Sequence, residues 1–242
     1  MGLWRMWRRR RWAQQPFPES WLPLLEPIPL YRKLPSALQS RLRDLLKVFA
    51  WEKTFIAAGG LELTDEMRVV ISASAARLVL HLDLGYYDRL TEIVVYPYVF
   101  QHPERDEAIL GEAHDWGVVV LSWPAVLQGI RNPDDGHDTA AHEFAHVLDR
   151  ADGIFDGTPR LGSRSFYRPW AQILSRHYLK LRQGDREERK VLRDYGATNE
   201  AEFFAVATES YFEKPRQMKT HAPDLYRELQ EFYGGDPAGD EP

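Results

Sequence analysis

Apolar positions at helical spacing first appear at Leu38, Leu42, Leu45, Leu46 and Phe49, after Pro35, which suits the first turn of a helix. Thr64-Asp65-Glu66 reads as the next helix start, an N-cap followed by acids, and leads from a Gly59-Gly60 turn into an apolar stretch at Val69–Leu80. The period then changes. Glu92–Tyr96 and Gly117–Trp123 are rich in β-branched residues, end at Pro97 and Pro124, and predict two strands. Beyond a loop of Pro, Asp and Gly at Asn132–Gly136, helical spacing returns. It runs over Thr139–Arg150 with Asp138 as candidate N-cap, over Tyr167–Leu181, and over Glu200–Phe212 capped by Asn199. Pro215 and Pro223 punctuate two short final helices. The pattern predicts an α+β domain with few strands and its chemistry on the C-terminal helices. The expected organisation is a basic tail over residues 1–15, one domain over 16–233 whose proline-rich start wraps it as irregular chain, and a disordered tail over 234–242.

Composition narrows the chemistry. The chain has 242 residues, 44% of them hydrophobic, enough to bury a core without staples. A net charge of −5 gives no reason to expect direct nucleic-acid binding. Cysteine is absent, which excludes disulfides, thiolate nucleophiles and Cys-ligated metals, and leaves histidine and carboxylates as metal ligands. The first twelve residues, MGLWRMWRRRRW, hold five arginines and no acid, but Ala13-Gln14-Gln15-Pro16 supplies none of the apolar segment a secretory signal needs. No run approaches the roughly 20 apolar residues of a membrane span. The expectation is a cytoplasmic protein without a transmembrane segment. The Trp/Arg stretch could touch an anionic membrane or nucleic acid, although a frayed basic tail is the simpler expectation.

The chemistry centres on His142-Glu143-Phe144-Ala145-His146. Residues four apart on a helix lie about 40° apart around the axis, so both imidazoles can reach one ion. Glu143, about 100° round from His142, can meet a metal-bound water but is poorly placed to ligate. Zinc held this way would acidify that water and polarise a scissile carbonyl. Ala141, Phe144, Ala145, Val147 and Leu148 make the helix apolar nearly all round, which argues that it is buried and that its polar groups need partners. A third ligand is required, and no histidine follows closely enough. Glu202 and Glu209 share a helix face seven residues apart, Glu200 points elsewhere, and spacing alone does not choose between the first two. Asp149 could accept the second N–H of His146 or cap the following loop. Gly117–Ser122, just before this helix, is expected as an edge strand that a peptide could extend.

His142–Asp149 (HEFAHVLD), with Tyr195-Gly-Ala-Thr-Asn-Glu-Ala-Glu-Phe-Phe-Ala-Val, resembles the Mlc titration factor A family of bacterial zinc peptidases, and also the catalytic domain of anthrax lethal factor. The likeness to the titration factor family extends more loosely from Pro16 to Pro237, through Gly117–Trp123 and Leu225-Tyr226…Phe232-Tyr233…Asp236-Pro237. It implies a zincin-like fold with a small mixed sheet and a gluzincin-type site, with zinc on His142, His146 and Glu202 and Glu143 as general base. Tyr195 matches a tyrosine that assists catalysis in lethal factor. The implied activity is peptide-bond hydrolysis on a peptide or protein substrate. Because the family takes its name from sequestering a transcriptional repressor, the resemblance also implies an alternative, a regulatory binding protein with little or no catalysis.

Overall fold

In the computed structural model, which describes residues 2–101, 108–109, 111–114 and 117–239, the basic N-terminal stretch is a helix, α1 (Leu3–Ala13), rather than frayed chain. Ion pairs on its inner face hold it down: Arg9 grips the Glu52 carboxylate with two N–H groups and also reaches Asp88, while Arg5 donates to the Asp88 carbonyl. Burial works against the charge on Glu52, but Arg9 and Lys53 outweigh it and hold the carboxyl down at about 2. The proline-rich stretch that follows carries short helices, α2 (Leu22–Leu25) and α3 (Pro29–Lys33), each with a proline in its first turn.

Next come α4 (Ser36–Glu52), β1 (Thr54–Ala57), α5 (Asp65–Leu78) and β2 (Glu92–Tyr96). The Thr64 hydroxyl caps α5 by accepting from the Met67 N–H at 3.3 Å. Then follow β3 (Phe100–Gln101), β4 (Ala108–Ile109), β5 (Gly111–His114), β6 (Val118–Ser122) and α6 (Trp123–Arg131). The C-terminal half is helical: α7 (Thr139–Asp149), α8 (Tyr167–Arg182), α9 (Glu200–Glu213), α10 (Pro215–His221) and α11 (Pro223–Tyr233). No helix among the described residues is long and apolar enough to cross a membrane. His102 and residues 240–242 of the expected tail lie outside the described residues. Residues 235–238 are tied down, with Tyr211 donating to the Gly235 carbonyl and Tyr226 donating to Asp236 and accepting from the Ala238 N–H.

The main sheet is mixed, in the order β1-β2-β6-β5, with β5 alone antiparallel to its neighbour, and β3 pairs with β4 separately. This corrects the expectation that Gly117–Ser122 is an edge strand: β6 is paired on both sides, to β2 and to β5. Its Val-rich sequence fits that interior position, with Val119 and Leu121 fully buried. The edge beside the histidine helix is β5, whose Gly-Glu-Ala-His sequence has no β-branched residue to signal a strand. Helices pack over the sheet, α5 on α4 and α7, and α7 on α9. Phe49, Tyr87 and Phe144 meet edge to face with centroids 5.1–5.8 Å apart, fastening α7 to α4 through the core.

Candidate metal centre

Every residue of α7 is buried, which accords with a sequence that is apolar nearly all round. The helix begins where the Asp138 carboxylate accepts from the Ala141 N–H at 3.0 Å. It ends in a loop that Asp149 organises: its Oδ2 accepts from the Gly157 N–H at 2.9 Å. Gly157 has φ of 78°, and a Cβ there would lie 2.4 Å from the Glu200 carbonyl oxygen, so only glycine lets this loop approach α9 so closely. Of the two roles open to Asp149 the structure has the loop cap. The Nδ1 of His146 and the Oδ1 of Asp149 are both buried without a hydrogen-bond partner among the described residues.

On α9, the Asn199 side chain accepts from the Glu202 N–H at 2.9 Å and sets the first turn against α7. The structure thereby brings His142, His146 and Glu202 together. The Nε2 of His142 lies 3.0 Å from Glu202 Oε2 and 3.2 Å from the Nε2 of His146, which is itself 3.3 Å from Glu202 Oε2. Zinc bonds of about 2.0–2.1 Å at tetrahedral angles set donors roughly 3.3 Å apart, so this triangle fits a metal ion. The next two acids on the same face of α9 do different work. Glu209, fully buried, takes the Nδ1–H of His142 at 2.7 Å on Oε1, also accepts there from Arg193, and accepts from the Asp138 N–H at 2.8 Å on Oε2. Because a carboxylate only accepts, the Glu209 contact fixes a hydrogen on His142 Nδ1 and leaves Nε2 as the nitrogen that would give up its proton to a metal ion in the triangle. Glu213 accepts from the His137 N–H at 2.8 Å. Glu200 is exposed, as expected.

The electrostatics call for a cation. Burial pushes the His142 imidazole down, but Glu209 and Glu202 outweigh it and raise it to about 10, so without a metal a proton supplies the positive charge. Burial raises Glu202, yet its hydrogen bonds to His142 and His146 hold it well below the usual carboxylate range. His146 is lowered, mainly by burial. Glu143 is 6% exposed, and burial, aided by the charges of Glu202 and Glu209 against that of His142, pushes its carboxyl up to about 7. Tyr195, half exposed in the turn before α9, has its ring centroid 5.8 Å from that of His142.

The sequence profile described as glucose-regulated metallo-peptidase M90 matches residues 4–234. This chain belongs to the M90 family. An uncharacterised protein of Synechocystis is 36% identical over 95% of this chain and 89% of its own length. Proteins named Mlc titration factor A are 31% identical in Pectobacterium atrosepticum, over 87% of this chain and 84% of theirs, and in Edwardsiella ictaluri, over 96% and 92%. The HExxH helix and the downstream glutamate of this M90 protein form the site of a gluzincin-type zinc metallopeptidase. Other residues at the M90 site gave no sequence signal. Gly111 on β5 faces Glu143 so closely that a Cβ would lie 2.6 Å from its Cγ. Arg150 donates to the Ala113 carbonyl of β5 at 2.7 Å and stacks 3.7 Å over Phe155, whose ring in turn lies 5.2 Å from that of His146. These contacts join a strand, a helix end and a loop, and no local spacing records them. His177, well away in sequence, is buried between Glu188 and Asp224 as a satisfied core histidine.

Proposed function

We propose that this M90 protein is a peptidase, with the domain over residues 16–233 holding zinc on His142, His146 and Glu202 and moving protons through Glu143. The observation that carries this reading is the 3.0–3.3 Å donor triangle beside the buried Glu143 carboxyl. Zinc, when bound, supplies a Lewis acid that polarises a carbonyl and acidifies water. The Glu143 carboxylate accepts a proton from the attacking water and delivers it to the leaving amine, work suited to a group that titrates near neutrality. Tyr195 hydrogen-bonds the oxyanion as it develops, a role resting on its position by His142 and on the resemblance to lethal factor. Glu209 keeps His142 in the required tautomer. An extended peptide would pair with the outer edge of β5, which Arg150 steadies from the end of α7.

Gly111 then matters because it leaves room for the general base. Gly111→Ala is expected to push Glu143 out of position and lower turnover on the order of 10–100-fold, with zinc retained. Kinetics and metal analysis on the same preparation check this, and unchanged turnover would show that the strand gives way instead.

A second reading is favoured by the relatives named Mlc titration factor A, at 31% identity over most of both chains. On that reading the protein binds a transcriptional regulator, and the metal site contributes little catalysis. Digestion of a peptide library with and without a chelator separates the two. Cleavage that the chelator abolishes and added zinc restores is the expected result. A fully zinc-loaded protein that cleaves nothing would leave the binding reading.

A further inference from the structure

The two faces of α1 differ in a way that its docking on the domain does not explain. Arg5 and Arg9 point inward to Asp88 and Glu52, and Trp12 lies edge-on against Trp51 with centroids 6.4 Å apart. The outward face carries Leu3 at 84%, Trp4 at 67% and Trp7 at 58% exposure, with Arg10 and Arg11 exposed beside them. Large apolar side chains gathered on one exposed face of a helix mark a surface that meets something. The arginines also order the indoles: Arg8 lies 4.5 Å from the Trp4 ring and 4.7 Å from that of Trp12, and Arg11 lies 5.7 Å from Trp7.

We propose that the outward face of α1 docks the protein on an anionic lipid surface, with Leu3, Trp4 and Trp7 entering the interface and Arg10 and Arg11 meeting lipid phosphates. Charge complementarity selects this occupant. The helix carries five arginines and no acidic residue, whereas the whole chain is net −5, so α1 is attracted to an anionic bilayer while the rest of the chain, taken together, is net acidic. Attraction of one helix on a net acidic body fixes an orientation. Indoles favour the boundary between head groups and acyl chains, and arginine stems lie along apolar surface with their charge kept among the phosphates. A second copy of the chain is disfavoured, because the two faces would bring Arg10 and Arg11 against their own like charges. The contact is peripheral, since an eleven-residue helix is far too short to span a bilayer.

Vesicle co-sedimentation of the full chain tests this, using phosphatidylcholine alone and phosphatidylcholine with a quarter phosphatidylglycerol. The protein should sediment with the anionic vesicles and stay in solution with the neutral ones, with tryptophan emission shifting to shorter wavelength on binding. Leu3→Ser/Trp4→Ser/Trp7→Ser should weaken binding on the order of tenfold or more, because it removes the buried apolar area. Arg10→Glu/Arg11→Glu should abolish the preference for anionic lipid. Both variants leave the Arg5 and Arg9 contacts in place, and an unchanged far-ultraviolet circular dichroism spectrum checks that they fold. The proposal is overturned if the wild-type chain ignores anionic vesicles, or if the triple variant binds them equally well. It is also overturned if a single-stranded oligonucleotide displaces the chain from vesicles at lower concentration than anionic lipid does, which would assign the face to nucleic acid.

Discussion

Glu202→Ala is expected to empty the metal site. The triangle then loses its only anionic donor, and the Nε2 atoms of His142 and His146, 3.2 Å apart, must hold a dication alone. The fold should survive, because Glu202 is only partly buried and the Asn199 cap uses its backbone N–H rather than its carboxylate. Glu209→Gln should act more mildly: an amide oxygen can still take the His142 Nδ1–H, and losing an outer partner usually costs about 10–100-fold in affinity or activity. Glu200→Ala should change little, since that side chain is exposed. Metal analysis after dialysis against a competing chelator gives the ranking, with the wild-type chain retaining about one zinc, as a single three-ligand site requires. Retention of zinc by Glu202→Ala and its loss by Glu209→Gln would transfer the ligand role to Glu209.

The helices that build the site were legible because their signals are local. Asp138 and Asn199 cap α7 and α9 through bonds to residues three positions on, and the HExxH spacing puts two imidazoles on one face whatever packs against it. The strands were legible only where sequence and burial agree. β2 and β6 are Val- and Ile-rich interior strands, whereas β1 has four residues and β5 reads Gly-Glu-Ala-His. Trp123-Pro124 reads as the end of a strand, yet proline is equally suited to the first turn of a helix, and the chain uses it there to start α6. The helicity of α1 depends on Glu52 and Asp88, more than 40 residues away, and so has no local signature.

The same division runs through the site. Choosing between Glu202 and Glu209 requires the rotation of α9 about its axis relative to α7, which is a tertiary quantity. Packing turns Glu202 to the Nε2 side of His142 and Glu209 to its Nδ1 side, so each carboxylate meets a different nitrogen of one ring. Asp149, three residues after His146, had two partners within reach, and the loop that Gly157 allows near α9 supplies the one it takes. Gly111 and Phe155 reach the centre only because β5 turns antiparallel to β6 and the post-helix loop folds back across α7.

Glu143→Gln tests the central claim most directly. The substitution keeps the shape of a side chain packed against Gly111 and removes its capacity to accept a proton. Glu143 contributes no atom to the donor triangle, so zinc should remain at the wild-type level. Turnover should fall by at least ~100-fold, the usual scale for a lost general base. Burial also predicts how wild-type activity depends on pH. Burial and the charges of Glu202 and Glu209 push the metal-free Glu143 carboxyl up to about 7, and a bound dication would favour its carboxylate. The rate should therefore rise with pH through a value at or below that one. The decisive measurement is the initial rate of peptide cleavage by wild type and Glu143→Gln at matched zinc content. A loss of two orders of magnitude or more with zinc unchanged is the predicted result. Equal rates, or no cleavage by a fully zinc-loaded wild type, would contradict the account.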